Sequence, residues 1–402
     1  MLHASVDVTN RRLCALLLLC GVLAPAGLDA QETRTAEIAA KQKAKAATLR
    51  PYEPTRFERI MARLEAGFAS PPNGWYPAFG SIYPGGGLSL GAGWRRFNSR
   101  DAVFDVQGLY SVEHYKQVEV AARMPWHGGG RLSYGAKAGW LDAPEVAYYG
   151  LGMAQDARRA HVHLSQGYAS ASARARPNGW TLLEAEVGID SFETQEGRGR
   201  APSVETVFTE STAPGLGASP TFLRLQGTAA IDWRTSPSYS RRGGYYGVTL
   251  ANFTNDTYGF KRLDGELIQH VPLLHGNWVM SFRGRVQTTL GDEDLVPYFL
   301  LPQLGSGRTI RGYSSGRFRD RHSILTSAEF RWIPNRLALD MALFYDAGKV
   351  VSDRKDLDFS SLESSWGVGA RFHVATATFL RIEAARPTHG KWRLVVGTGA
   401  AF

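Results

Sequence analysis

The chain has 402 residues, with 46 Lys and Arg against 37 Asp and Glu for a formal charge of +9, 44% hydrophobic residues and a mean hydropathy of −0.23. This balance belongs to a folded chain and excludes both a disordered tail and a helical multispanning membrane protein. Glycine (44 residues) and aromatics (11%) run high, a bias of strand-rich chains.

Both cysteines, Cys14 and Cys20, fall in the one long apolar run, residues 13–28, which follows Arg11 and Arg12 and ends near Ala24-Pro25-Ala26. A basic flank, a short Leu-rich core and small residues at the end predict a secretory signal over 1–30, with Ala26 or Ala30 the last residue removed. A lipoprotein site would want a small residue where Leu19 stands, and an uncleaved anchor would need about 20 apolar residues. The exported chain then carries no cysteine, which removes disulfides and cysteine metal ligands. Residues 31–70 are charged and Ala-rich at first and are then broken by Pro51 and Pro54. Thr55 with Glu58 forms a capping-box pattern, and Phe57, Ile60, Met61 and Leu64 follow at helical spacing, so one short amphipathic helix is expected there. It reads as a plug or periplasmic contact, or as a tether lying against the domain. Pro71-Pro72-Asn73-Gly74 closes the segment.

From 71 to 402 the hydrophobic period is two. Residues 221–233 place Leu223, Leu225, Ala229, Ile231 and Trp233 on one face and Arg224, Gln226, Thr228 and Asp232 on the other. Similar alternation recurs over 277–290, 323–333 and 365–374, marking strands with one apolar and one polar face. A soluble sandwich or barrel turns the apolar face inward, whereas a transmembrane barrel turns it to lipid. Candidate strands near 88–97, 102–111, 114–124, 131–141, 168–176, 180–192, 221–233, 243–253, 258–271, 278–290, 295–304, 323–333, 337–349, 365–374, 378–385 and 391–402 make about sixteen, an even number suited to an antiparallel transmembrane barrel. Trp94, Trp126, Trp140, Trp180, Trp278 and Trp392 stand near strand ends, as interfacial girdles require. Closure is expected between the strand near 88–97 and the strand near 391–402. Gly91, Gly93, Gly397 and Gly399 there read equally as a weak seam that opens or as an accommodation of curvature.

On the last strand Trp392, Leu394, Val396 and Phe402 share one face, and Phe402 ends the sequence. A final strand closing on an aromatic resembles the assembly signal of bacterial outer-membrane barrels. That resemblance implies the barrel assembly machinery as a partner during biogenesis.

Ordered motifs fill the last hundred residues: Gly307-Arg308-Thr309-Ile310-Arg311-Gly312-Tyr313, Ala328-Glu329-Phe330-Arg331, Phe344-Tyr345-Asp346-Ala347-Gly348, Gly367 to Arg371, and Leu380-Arg381-Ile382-Glu383. Together they resemble the bacterial surface antigen superfamily of outer-membrane barrels, whose members include BamA, TamA and the two-partner secretion translocators. The resemblance implies a long loop folded back into the barrel with Arg311, Gly312 and Tyr313 at its tip. It makes Asp346 the acidic partner of Arg311, and Glu329 and Glu383 secondary acceptors. Independently of any family, Asp346 shares a face with Phe344 and Gly348, and an aspartate avoids lipid only if that face looks into the lumen. A carboxylate there suits the planar guanidinium of arginine, which engages it through two parallel hydrogen bonds. In a hydrated lumen, loss of one partner should cost about 1 kcal/mol, against about 3–5 kcal/mol in a dry site.

Catalytic signals are scarce. His161 and His163 share a face without a third ligand at recognisable spacing. Gly85 to Gly87 and Gly128 to Gly130 lack the lysine and helix of a phosphate loop and read as turns. No nucleophile elbow occurs. The expectation is a non-enzymatic chain without metal, cofactor or nucleic-acid partner, in contact with outer-membrane lipid. Known assembly and translocation members carry periplasmic polypeptide-transport domains, for which residues 31–70 leave no room. The leading reading is help in inserting or translocating a protein or lipid client at the outer membrane. A passive channel or structural surface barrel is the alternative, and an outer-membrane hydrolase a third.

Overall fold

The computed structural model describes residues 36–44, 59, 73–98, 102–127, 129–292, 295–334, 338–373 and 377–402. The chain divides into two units, Met1–Ile60 and Met61–Phe402. In the first, residues 36–44 are helical and exposed. Good helix formers dominate this stretch, and Lys41 Nζ donates to Glu37 Oε1 one turn earlier at 2.7 Å. The predicted signal over 1–30 lies outside the described residues. So does the predicted helix after Thr55, apart from Arg59, which is helical.

The second unit is one antiparallel sheet of sixteen strands paired in chain order and curled into a nearly closed barrel. Its strands are β1 (Gly74–Gly80), β2 (Ser89–Phe97), β3 (Val103–Ser111), β4 (Lys116–His127), β5 (Leu132–Tyr148), β6 (Ala160–Ala175), β7 (Thr181–Glu196), β8 (Thr221–Asp232), β9 (Gly243–Thr254), β10 (Phe260–Leu273), β11 (Trp278–Leu290), β14 (His322–Trp332), β15 (Leu339–Val351), β16 (Glu363–His373), β17 (Thr378–Pro387) and β18 (Arg393–Gly397). Between β11 and β14 a two-residue ladder, β12 (Gln303–Leu304) with β13 (Phe318–Arg319), forms the stem of an inserted loop. Alternation decides which way each side chain faces. On β15, Met341, Leu343 and Tyr345 are exposed on the outside while Ala342, Phe344 and Asp346 are buried toward the lumen. Aromatics collect outside near the strand ends: Trp278 stacks on Phe330 and Trp332, and Trp392 meets Trp366 edge-on. The Trp126 side chain lies outside the described residues.

The strand number agrees with the sequence reading, but two of its elements change places. Residues 74–80 form the first strand, hidden in the sequence by Pro77 at its centre. Proline removes a ladder donor and is confined to edge strands, which β1 is. Residues 295–304 are not a barrel strand; they form a 3-10 turn at Tyr298–Leu300 and then β12. Pro297 and Pro302 interrupt that run, and its apolar side chains Val296, Tyr298, Phe299 and Leu301 are buried inside the molecule, away from lipid.

The seam therefore lies between β1 and β18, not beside β2. Among the described residues no ladder joins these two strands. Gly91 and Gly93 sit one strand inward, where Gly93 leaves room for the Tyr76 ring opposite it. Gly399 has φ +76° and turns the chain out of β18, so Ala401 is buried and Phe402 stacks on the His270 ring, 6.4 Å between centroids. Phe402 thus leaves the outward face that Trp392, Leu394 and Val396 share. Strands β5, β6 and β7 run to 17, 16 and 16 residues, well beyond the 9–11 or so that cross a bilayer. Their far ends pack Val146, Tyr148, Leu164 and Phe192 against Phe222 and Phe299 in an apolar dome over one mouth.

Candidate functional site

The connection from β11 to β14 folds back into the barrel. Leu304, Ile310 and Phe318 from the loop pack on Leu325 of β14 and Val350 of β15, fixing its root to the wall. Past that root, Gly312 adopts φ +90°, a conformation side chains rarely take, and a Cβ there would lie 3.1 Å from the Ala385 Cβ on β17. The turn at Gly312 presses the tip against the wall and points Arg311 into a nest of carboxylates.

Arg311 Nε donates to Asp346 Oδ2 at 2.7 Å and Nη2 to Asp346 Oδ1 at 2.8 Å, while its backbone N–H reaches Oδ2 at 3.2 Å. Nη1 donates to Glu329 Oε2 at 3.2 Å and Glu383 Oε1 at 3.0 Å. The guanidinium carbon lies 3.5 Å from the centroid of the Phe344 ring. A side chain at Gly367 would strike that ring, so the glycine on β16 makes room for it. Three strands, β14, β15 and β17, each supply one carboxylate to one loop arginine. Burial works against its charge, and the facing carboxylates, Asp346 foremost, outweigh that and raise the Arg311 pKa.

Two arginines missing from the sequence-level site complete the nest. Arg371 of β16 donates to both Glu329 oxygens and, through Nη2, to Glu383 Oε1 at 3.2 Å. Arg381 Nη1 donates to Glu383 Oε2 at 2.7 Å. Three arginines are thus hydrogen-bonded to three carboxylates, with Arg331 3.8 Å from Glu329 as a fourth cation. Alternation held the signal: Arg371 lies on the polar face of β16, and Arg381 shares a face with Glu383. Arg381 also holds the loop and the tail, through Nη2 to Gly307 O at 3.1 Å and Nε to Gly399 O at 2.9 Å. Tyr313 turns away from the nest and donates its hydroxyl to Glu363 Oε2 at 2.6 Å.

The opposite half of the lumen is built otherwise. A cavity of about 690 Å³ lies between the loop and the wall from β4 to β11, lined by Glu119, Tyr168, Asp190, Arg224, Asp264 and Arg285 among others. Arg224 pairs with Asp190 at 2.7 Å and with Glu186 at 3.0 Å, and Arg285 with Asp264 at 2.5 Å. These pairs bridge neighbouring strands, and on this side Arg283 reaches the loop backbone, its Nη1 donating to Arg308 O at 2.7 Å. His163 Nε2 lies 2.5 Å from Asp142 Oδ1, and His161 lies 3.8 Å from Glu145. Among the described residues no group of three or more His, Cys, Asp or Glu is placed to hold a metal.

A strand sheet with an apolar exterior, a charged interior and a loop pinned within it defines an occluded transmembrane barrel. Residues 115–392 match the Omp85 superfamily domain, and the chain belongs to that superfamily. It is an outer-membrane β-barrel. Among solved structures it is similar to BamA from Haemophilus ducreyi lacking POTRA domains 1-3, with a TM-score of 0.60 and 14% identity over 82% of this chain and 69% of that one. It is also similar to CdiB from Escherichia coli, with a TM-score of 0.52 and 13% identity over 81% of this chain and 61% of that one. At such identities the likeness is one of fold. No curated protein matches the sequence.

Proposed function

We propose that this barrel assists the insertion or translocation of a macromolecular client, protein or lipid, at the outer membrane, and that the client engages the seam between β1 and β18. The observation that carries the reading is the seam itself. Among the described residues the two end strands share no ladder, β1 carries Pro77, and β18 has five residues where its neighbour β17 has ten. Each missing backbone pair lowers the work of parting the strands, and an unpaired edge is a template for another strand. Arg311 acts as the lock that keeps the loop in the lumen while the seam works. That arrangement favours a client path at the seam over a passive channel, which needs an open lumen. The reading includes no catalytic step.

Because both cysteines fall within the first twenty residues, cysteine pairs placed across β1 and β18 report cleanly on the exported chain. The assay is assisted folding of an unfolded reporter barrel into liposomes that hold the protein. Oxidation of a crosslinking pair is expected to abolish the assistance and reduction to restore it. Full assistance with the seam covalently shut would overturn the reading, and large steady single-channel steps would favour the passive barrel.

A further inference from the structure

The connection between β8 and β9 spans residues 233–242, whereas that between β10 and β11 needs only 274–277. Both lie at the short-turn end of the barrel, which is periplasmic in outer-membrane barrels. The longer one folds under the barrel. A turn over Ser236-Pro237-Ser238-Tyr239, closed by Tyr239 N–H donating to Ser236 O at 3.2 Å, shapes it locally, with proline at the second turn position where its fixed φ fits. Ser240 Oγ donates to Arg242 O at 2.8 Å and braces the return. The segment is thereby preorganised to present Tyr239.

Tyr239 is buried on the far side of β10 and β11. Its hydroxyl donates to Asp340 Oδ1 and Oδ2 at 3.0 and 2.9 Å, and its ring stacks on His373 with 4.1 Å between centroids and 13° between planes. The guanidinium carbons of Arg241 and Arg331 lie 5.4 and 5.7 Å from the ring centroid. Two backbone contacts fasten the flanks: Arg331 Nη2 donates to Ser240 O, and Thr378 N–H donates to Ser238 O at 3.3 Å. These partners stand at the turn-side ends of β14, β15, β16 and β17, the four strands that form the Arg311 nest or flank it.

The two sites share a wall. Arg331 Nη1 lies 3.9 Å from Asp340 Oδ2 and its Nε 3.8 Å from Glu329 Oε1. Glu329 in turn accepts from Arg311. We propose that residues 233–242 form a periplasmic latch that closes the turn-side mouth of the lumen. Through Arg331 and Glu329 it also steadies the seat of Arg311, so that unlatching from the periplasm loosens a loop that entered from the outside. The proposal stands whether or not the seam admits a client.

The test uses the whole exported chain, with folding verified by resistance to sodium dodecyl sulfate before heating. Tyr239→Ala removes the ring and its hydrogen bonds to a buried carboxylate, and should raise the open fraction in planar bilayers about tenfold or more. It should also speed cleavage near Tyr313 by protease added from the loop side. Tyr239→Phe, which keeps the ring, should show a smaller rise. Unchanged conductance in a folded Tyr239→Ala barrel would overturn the closing role; altered conductance with unchanged cleavage near Tyr313 would overturn the coupling. Should Tyr239→Ala fail to fold, the pair Ser238→Cys and Thr378→Cys decides: oxidation is expected to lower the open fraction relative to the reduced protein, and equal values in both states would overturn the latch.

Discussion

The two halves of the lumen use the same chemistry to different ends. On the β14 to β17 wall, Arg311 and Asp346 keep 2% and 1% of their side-chain surface exposed; across the lumen, Arg285 and Asp264 keep 28% and 21%. Both are arginine–carboxylate pairs with close contacts, yet water reaches only the second. A dry pair is held by its neighbours, because removing one member strands the other charge in a medium that cannot solvate it. A wet pair is backed by solvent, so its loss is mostly made good. Burial, not bond length, separates the lock from the lining. It also revises the expectation of a hydrated Arg311 site toward the dry, costlier case.

The sharpest way to break this contrast is to delete the lock. Arg311→Ala should weaken the loop's attachment by about 3–5 kcal/mol, and Asp346→Ala by a similar amount. Protease cleavage near Tyr313 should then rise steeply while the barrel still resists sodium dodecyl sulfate. The double variant should be no worse than Arg311→Ala, since that variant already removes the Arg311–Asp346 interaction; additive losses in a cleavage assay would mean that the two residues do not act as a unit. Gly312→Ala should have an intermediate effect of about 1–3 kcal/mol, from a backbone conformation alanine resists together with the contact at Ala385. The same cleavage assay measures it, and a wild-type rate would show that the tip turns without help from glycine. Arg285→Ala should have the smallest effect, about 1 kcal/mol or less, with no change near Tyr313. A loss from Arg285→Ala as large as that from Arg311→Ala, read from heat-induced unfolding on gels, would erase the distinction between the halves.

Much of the nest around Arg311 is legible in the sequence. Alternation around Phe344, Asp346 and Gly348 placed the aspartate inside, and motif resemblance pointed to Arg311 as its partner with Glu329 and Glu383 near it. Arg371 and Arg381 went unassigned although both lie on inward faces, because a strand pattern says which way a charge points but not which loop it meets. Phe402 shows the limit from the other side. Its spacing from Trp392, Leu394 and Val396 predicts an outward aromatic, and a left-handed turn at Gly399 sends it inward to His270. A single positive φ is invisible to periodicity.

What the sequence determined by itself is what backbone geometry makes local. A period of two sorts every strand into a lipid face and a luminal face, and a length near ten residues per crossing sets a barrel of sixteen strands. The tertiary structure decided which stretch counts as a strand and what fills the interior. Residues 295–304 carry the aromatics of a membrane strand but bury them under the dome, and residues 74–80 carry a central proline but open the sheet. No periodicity or motif in the sequence singles out Tyr239, which the fold sets against Asp340, 101 positions along the chain. Whether a charge ends up dry, and therefore whether it locks or merely lines, depends on such distant contacts, which only the curled sheet brings together.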